Sequence, residues 1–322
     1  MKRILIFVTA FAASAAVCGL VLKFLILQAD QTASATSQAD SRPDVPARSR
    51  VRTPHASLFE TLEPGLDFAE FTAPTKSELG DSKVRVLRID PANFQFRLLC
   101  AGAPNPQTPL TPQAASQWGK LGGLVAVVNA GLVSQGGRGN AGLAAQGLLR
   151  TRNYVNNGHP LGPWRAFLGF DRLDRKLPEA TVLDQDRNLT EIVHFKEVFA
   201  TVDQGPRLYP LGRTPIFPHP TDKWSMCGIG VDRSETGRIL FVMVRSPYAM
   251  KDLAIMLRRP LNIDTLMLTG KGADAQLYVN AGGKEREFVG SYQPGVREDD
   301  TNDRASPLPN VIGIVRKTVV PH

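Results

Sequence analysis

DTLMLTGKGADAQLYV, residues 264–279, passes from an apolar stretch through a glycine-rich turn bearing Lys271 and Asp274 into a second apolar stretch. From Gly270 to Ala275 the turn fits Gly-x-Gly-x-x-Ala, the pattern of a dinucleotide-binding loop. That loop must open a long helix in an N-terminal βαβ unit. Here AQLYV, residues 275–279, is short and β-like, is followed by Asn280, Gly282 and Gly283, and lies near the C-terminus. The stretch therefore reads as strand, turn, strand. A P-loop is excluded because no Gly-Lys-Ser/Thr is present, and a nucleophile elbow because no Gly-x-Ser-x-Gly occurs.

Strand-like stretches recur on both sides of it, at 83–90, 94–100, 124–130, 166–170, 225–231, 238–244, 284–289 and 311–316. Two segments carry helix signals. TPQAASQWGKL, 111–121, has Thr111 as N-cap with Pro112 behind it, and SPYAMKDLAIMLRRP, 246–260, has Ser246, then Pro247, then Met250, Leu253, Ala254 and Leu257 along one face. Each helix leads into a strand so apolar that both its faces should be buried. The expectation is an α+β domain, a mixed β-sheet core with helices packed on it.

At 322 residues, 43% apolar and 21% charged, the chain can bury a sizeable core. The net charge of +8 is spread along the sequence, and the one dense basic run is ARSRVR, 47–52, within a region of unstructured composition. A nucleic-acid reader would need a basic face interleaved with readers, so no nucleic-acid partner is expected. Lys2 and Arg3 precede an apolar run from Ile4 to Leu27 that only Lys23 interrupts. Residues 1–29 thus read as a signal anchor or a signal peptide, with the following domain extracytoplasmic. Val17 before Cys18, and the apolar sequence after it, exclude a lipoprotein. Residues 30–54, rich in Ser, Ala, Asp, Pro and Arg, read as a flexible linker, and residues 55–322 as a single folded domain.

Cys18, Cys100 and Cys227 form no CxxC and no metal-ligand spacing; Cys100 and Cys227 are either buried thiols or a pair. DQDRNL, 184–189, opens like a calcium loop but has Leu189 where glycine is needed and Phe195 where the closing carboxylate belongs, so it reads as a solvated turn. Glu298, Asp299, Asp300 and Asp303 are either a calcium site or an exposed charged loop. Neither a metal nor a cofactor is assigned.

Four segments taken in order carry a resemblance: VAVVNAGLV at 125–133, QGPRLYPLG at 204–212, WSMCGIGVDRSETGRILFVMV at 224–244 and LMLTGKGADAQLYV at 266–279. Together they resemble the phosphodiester glycosidase family. That family shows Asn-Ala/Gly-Gly after a buried strand, Gly-Pro-x-Leu, a hairpin around Ile-Gly-Val-Asp, and a strand ending in Asp-Gly-Gly-Gly-Ser. The departures lie in the last segment, where Thr269 replaces the family aspartate, Lys271 the second glycine, and a carboxylate returns only at Asp274; Gln204 stands where many relatives have serine.

The resemblance implies a hydrolase that separates a sugar from a phosphodiester-linked group. A phosphate monoester leaves far more readily than an alkoxide, so one carboxylate suffices where ordinary glycosidases need two. On this reading Asp274 is the catalytic carboxylate, Lys271 and Arg245 receive the phosphate, Asn129 binds a sugar hydroxyl, and Gly270 and Gly272 keep the turn. The alternative implied is a non-catalytic envelope module that binds a glycan or anionic polymer in the same cleft.

Overall fold

The computed structural model describes residues 58–104, 109, 111–133, 144–187, 195–211 and 221–318, all within the compact unit Thr53–His322. The N-terminal apolar segment with Cys18, the linker, and residues 188–194 of the calcium-loop-like segment lie outside the described residues. Among the described residues no helix is long and apolar enough to cross a membrane.

The chain builds three sheets in which every ladder is antiparallel among the described residues. The first has seven strands in the order β1 (Glu60–Glu63), β2 (Leu66–Thr72), β3 (Lys83–Ile89), β13 (Ile239–Ala249), β12 (Lys223–Asp232), β14 (Ile263–Lys271) and β11 (Arg207–Tyr209). The second runs β16 (Lys284–Val289), β15 (Gln276–Ala281), β5 (Ala126–Asn129), β17 (Asn310–Arg316), β4 (Phe94–Cys100). The third runs β7 (Val155–Asn157), β6 (Leu149–Arg150), β10 (Phe199–Gly205), β8 (Ala166–Arg172), β9 (Ala180–Asp184). Helices are short: α1 (Ala115–Gly122), a single turn α2 (Phe195–Val198), and α3 (Met250–Arg258).

This corrects the expected mixed, helix-packed α+β core: the fold is mostly β. The apolar strands are indeed buried on both faces, but one of those faces meets another sheet rather than a helix. In β5, Ala126 and Val128 join a core that holds Ile229 and Phe241 of the first sheet and Leu168 of the third, while Val127 turns outward to Trp118 of α1. In β14, Met267 faces that shared core while Leu266 and Leu268 face Leu253, Ala254 and Leu257 of α3.

The helix starts also move. α1 begins at Ala115, and Gln117 Oε1 accepts the Ala114 N–H at 2.9 Å in place of any contribution from Thr111. Ser246 lies in β13, where its buried hydroxyl accepts the Ser82 N–H at 2.8 Å, and α3 begins four residues later. Cys100 and Cys227 are separate buried thiols. The 184–187 stretch is not a solvated turn throughout. Asp184, 1% exposed, is hydrogen-bonded to the buried Arg207, which also reaches Asp186 at 2.8 Å.

Candidate functional site

The C-terminal end of β14, the 3-10 turn Gly272–Asp274, the end of β5 and the start of β12 meet at one junction between the first and second sheets. Asn129 closes it. Its Nδ2 donates to the Asp274 carbonyl at 2.8 Å, and its Oδ1 accepts the Gln276 N–H at 2.8 Å and the Cys227 thiol at 3.1 Å. Three of the four hydrogen bonds an asparagine side chain can make are therefore spent on the scaffold. Burial pushes the Cys227 thiol up to about 11, so it stays protonated as a donor.

Gly270 faces Cys227 across the β12–β14 ladder, and a Cβ there would lie 2.6 Å from both the Cys227 sulfur and the Asn129 Cγ. Gly272 has φ of +70°, a conformation side chains resist, and packs against Gln293. The two glycines thus hold the turn where the sequence placed them. Thr269 is 2% exposed with its hydroxyl 3.7 Å from the Cys227 sulfur.

Lys271 and Asp274 are both half-buried. The Lys271 ammonium sits 4.1 Å from the centroid of the Trp224 ring, a cation–π contact, and no salt bridge reaches it among the described residues. Burial lowers its pKa, and the nearby charge of Asp222 partly opposes this.

Arg245 is placed differently. Its Nε donates to Asp300 at 2.7 Å, its Nη1 to the Val289 carbonyl at 3.1 Å, and its Nη2 to the carbonyls of Asp300 and Asn302 at 3.2 and 2.7 Å. The guanidinium anchors the acidic loop. Asp299 instead accepts from Thr301 and Glu298 from the Gly295 N–H, so these carboxylates serve separate partners. Gln204 is likewise spent, bonded to Leu148, Leu161 and Trp164 backbone groups.

Sequence reasoning missed Asp203. It lies on β10, 1% exposed, with Oδ2 accepting the Gly131 N–H at 3.2 Å and Oδ1 without a partner among the described residues. Burial pushes its carboxyl up to about 7, the Gly131 N–H pulling the other way. Only its place directly before Gln204-Gly205-Pro206 hinted at it.

No protein-family profile and no curated protein sequence matches the chain. A hypothetical protein from Synechocystis shares 12% identity over 79% of this chain and 62% of its own, with a TM-score of 0.46. The catalytic domain of zebrafish N-acetylglucosamine-1-phosphodiester alpha-N-acetylglucosaminidase, auto-inhibited by its pro-peptide, shares 14% identity over 79% of this chain and 85% of its own, with a TM-score of 0.52. The chain shares the fold of that domain.

Proposed function

We propose that the chain is a divergent phosphodiester-glycosidase-like hydrolase of sugar phosphodiesters, exported and either tethered by its N-terminal apolar segment or released by cleavage within it. The observation that carries this reading is the Lys271 ammonium, half-buried on Trp224 with no salt bridge among the described residues, three residues from Asp274 on a turn that Asn129 pins. A partly desolvated cation on the same turn as a carboxylate suits an anionic leaving group next to a sugar that gains positive charge. Asp274 would stabilise that charge or orient the attacking water, and Lys271 would receive the departing phosphate. Arg245, committed to its loop, is left out of the chemistry.

One observation favours the alternative, a module that binds a glycan or anionic polymer there. Thr269 is buried against a thiol, so the position that bears the family aspartate offers no charge. The two readings separate in one experiment, hydrolysis and equilibrium binding of chromogenic sugar-1-phosphodiesters by the purified chain. For an enzyme, Asp274→Asn cuts turnover by about 10²- to 10⁴-fold with affinity nearly intact. For a binder no sugar of the panel turns over, Lys271→Ala weakens affinity, and Asp274→Asn tightens it by removing a negative charge. Turnover unchanged by Asp274→Asn would rule out this carboxylate.

A further inference from the structure

β4 ends the second sheet, so among the described residues one of its edges has no neighbouring strand. Its register with β17 runs from Phe94 opposite Arg316 to Cys100 opposite Asn310. Just outside it, Lys317 N–H donates to the Asn93 carbonyl at 3.0 Å and Ala101 N–H to the Pro309 carbonyl at 2.7 Å. Antiparallel partners alternate between bonded and non-bonded pairs, so the odd-numbered residues of β4 bond to β17. The N–H and C=O groups of Phe94, Phe96 and Leu98 therefore point the other way.

They point along a cleft. Two cavities of about 500 and 510 Å³ share Gln95, Phe96, Arg97 and Asp171 and together follow β4 from Phe94 to Cys100. Tyr154 and Thr201 line the wall that the third sheet supplies. The charges in this cleft are unequally engaged. Lys317 and Arg172 bond to Glu179, Arg316 to Glu63, and the Asp171 carboxylate takes the Thr201 hydroxyl. Arg97 and Arg152 make no ion pair among the described residues. Arg97 and Arg152 outweigh the Asp171 carboxylate, which also has no ion pair among the described residues, so the net unpaired charge is positive.

We propose that this edge is a docking site for an extended, acidic peptide segment of another protein, which adds to β4 as a further strand. A row of outward donors and acceptors repeating roughly every 7 Å matches the backbone of a strand, and seven residues of β4 offer about 23 Å of it. Acidic side chains on the added strand meet Arg97 and Arg152. A saccharide has no such repeat of N–H and C=O groups.

The probe is a fluorescent eight-residue peptide of alternating Glu and Val, titrated against the full-length chain in detergent. Two further peptides carry N-methyl groups on alternate amides, one in each register, so that one of them cannot pair with β4. Saturable binding is expected, weakened at least about tenfold in one methylated peptide and not the other. Arg97→Glu with Arg152→Glu should weaken it similarly, with folding checked by circular dichroism. Failure of the peptide to bind overturns the proposal. Equal binding of both methylated peptides also does, since charge alone would then explain it. So does displacement of the peptide by dextran sulfate at lower concentration than by unlabelled peptide, or self-association that the peptide blocks, which would make a glycan or a second copy the occupant.

Discussion

Asn129 shows how a residue legible in the sequence acquires a different task in the structure. Its position at the end of a buried strand was plain from the apolar run before it. Its three bonds were not, because their partners Asp274, Gln276 and Cys227 are distant in sequence and come close only when two sheets meet. Asn129→Ala should cost about 2–4 kcal/mol, because the buried Gln276 N–H loses its acceptor and the tie to the Asp274 carbonyl is removed. Urea denaturation measures this, and a loss under about 0.5 kcal/mol, typical of a surface change, would mean that water replaces the clamp. The turn that bears Lys271 and Asp274 was readable from its glycines, while the ring under Lys271 was not, since nothing local ties Trp224 to it. Arg245 illustrates the reverse: an arginine at a strand end suggests an anion site, and here the anion is the protein's own Asp300.

At the scale of elements, the apolar face of α3 was legible from its period. Met250, Leu253, Ala254 and Leu257 are all buried against β13 and β14 residues, while Lys251 is exposed. Leu257→Ala should lose about 2–5 kcal/mol, and Lys251→Ala should stay within about 0.5 kcal/mol. Equal losses in thermal melts would show that the face is misassigned. Helix starts were misread because Ser-Pro and Thr-Pro are also what a strand end and a turn use, and the capping partner, Gln117 Oε1, is itself inside the helix. The β12–β13 hairpin was read correctly from its Gly-containing turn, and pairs from Lys223 with Ala249 to Val231 with Ile239. The helix α3 carries the chain from β13 over to β14 with β12 between them, so β13 and β14 run parallel to each other and each is antiparallel to β12, an order of strands that no local pattern carries.

For the whole molecule, the stacking of sheets is what local patterns could not carry: a strand covered by a sheet and one covered by a helix have the same composition. The same stacking buries Asp203, and this has a consequence for pH. The folded carboxyl titrates at about 7, above its unfolded value, so between about pH 4 and 7 the folded state holds a proton that the unfolded state has released. Stability contributed by this group therefore falls as pH rises through that window and levels off above it. Glu70 and Asp81, lowered on balance by Lys83 and Arg85 against their own desolvation, contribute in the opposite sense but only at lower pH. Asp203→Asn should flatten the decline, gaining on the wild type by about 1.4 kcal/mol per pH unit within the window, as urea midpoints from pH 5 to 8 would show. A variant that tracks the wild type at every pH would place the titration elsewhere. The order of strands also sets a timetable. In the first sheet β3 needs β13, roughly 150 residues later, and in the second both β4 and β5 need β17. A nascent chain that lacks residues 310–316 has β4 without β17, its partner in the sheet, so this early strand must wait for a late one. Folding so dominated by distant partners is slow, and the chain stays open to chaperones until its last strand slides between two of its earliest.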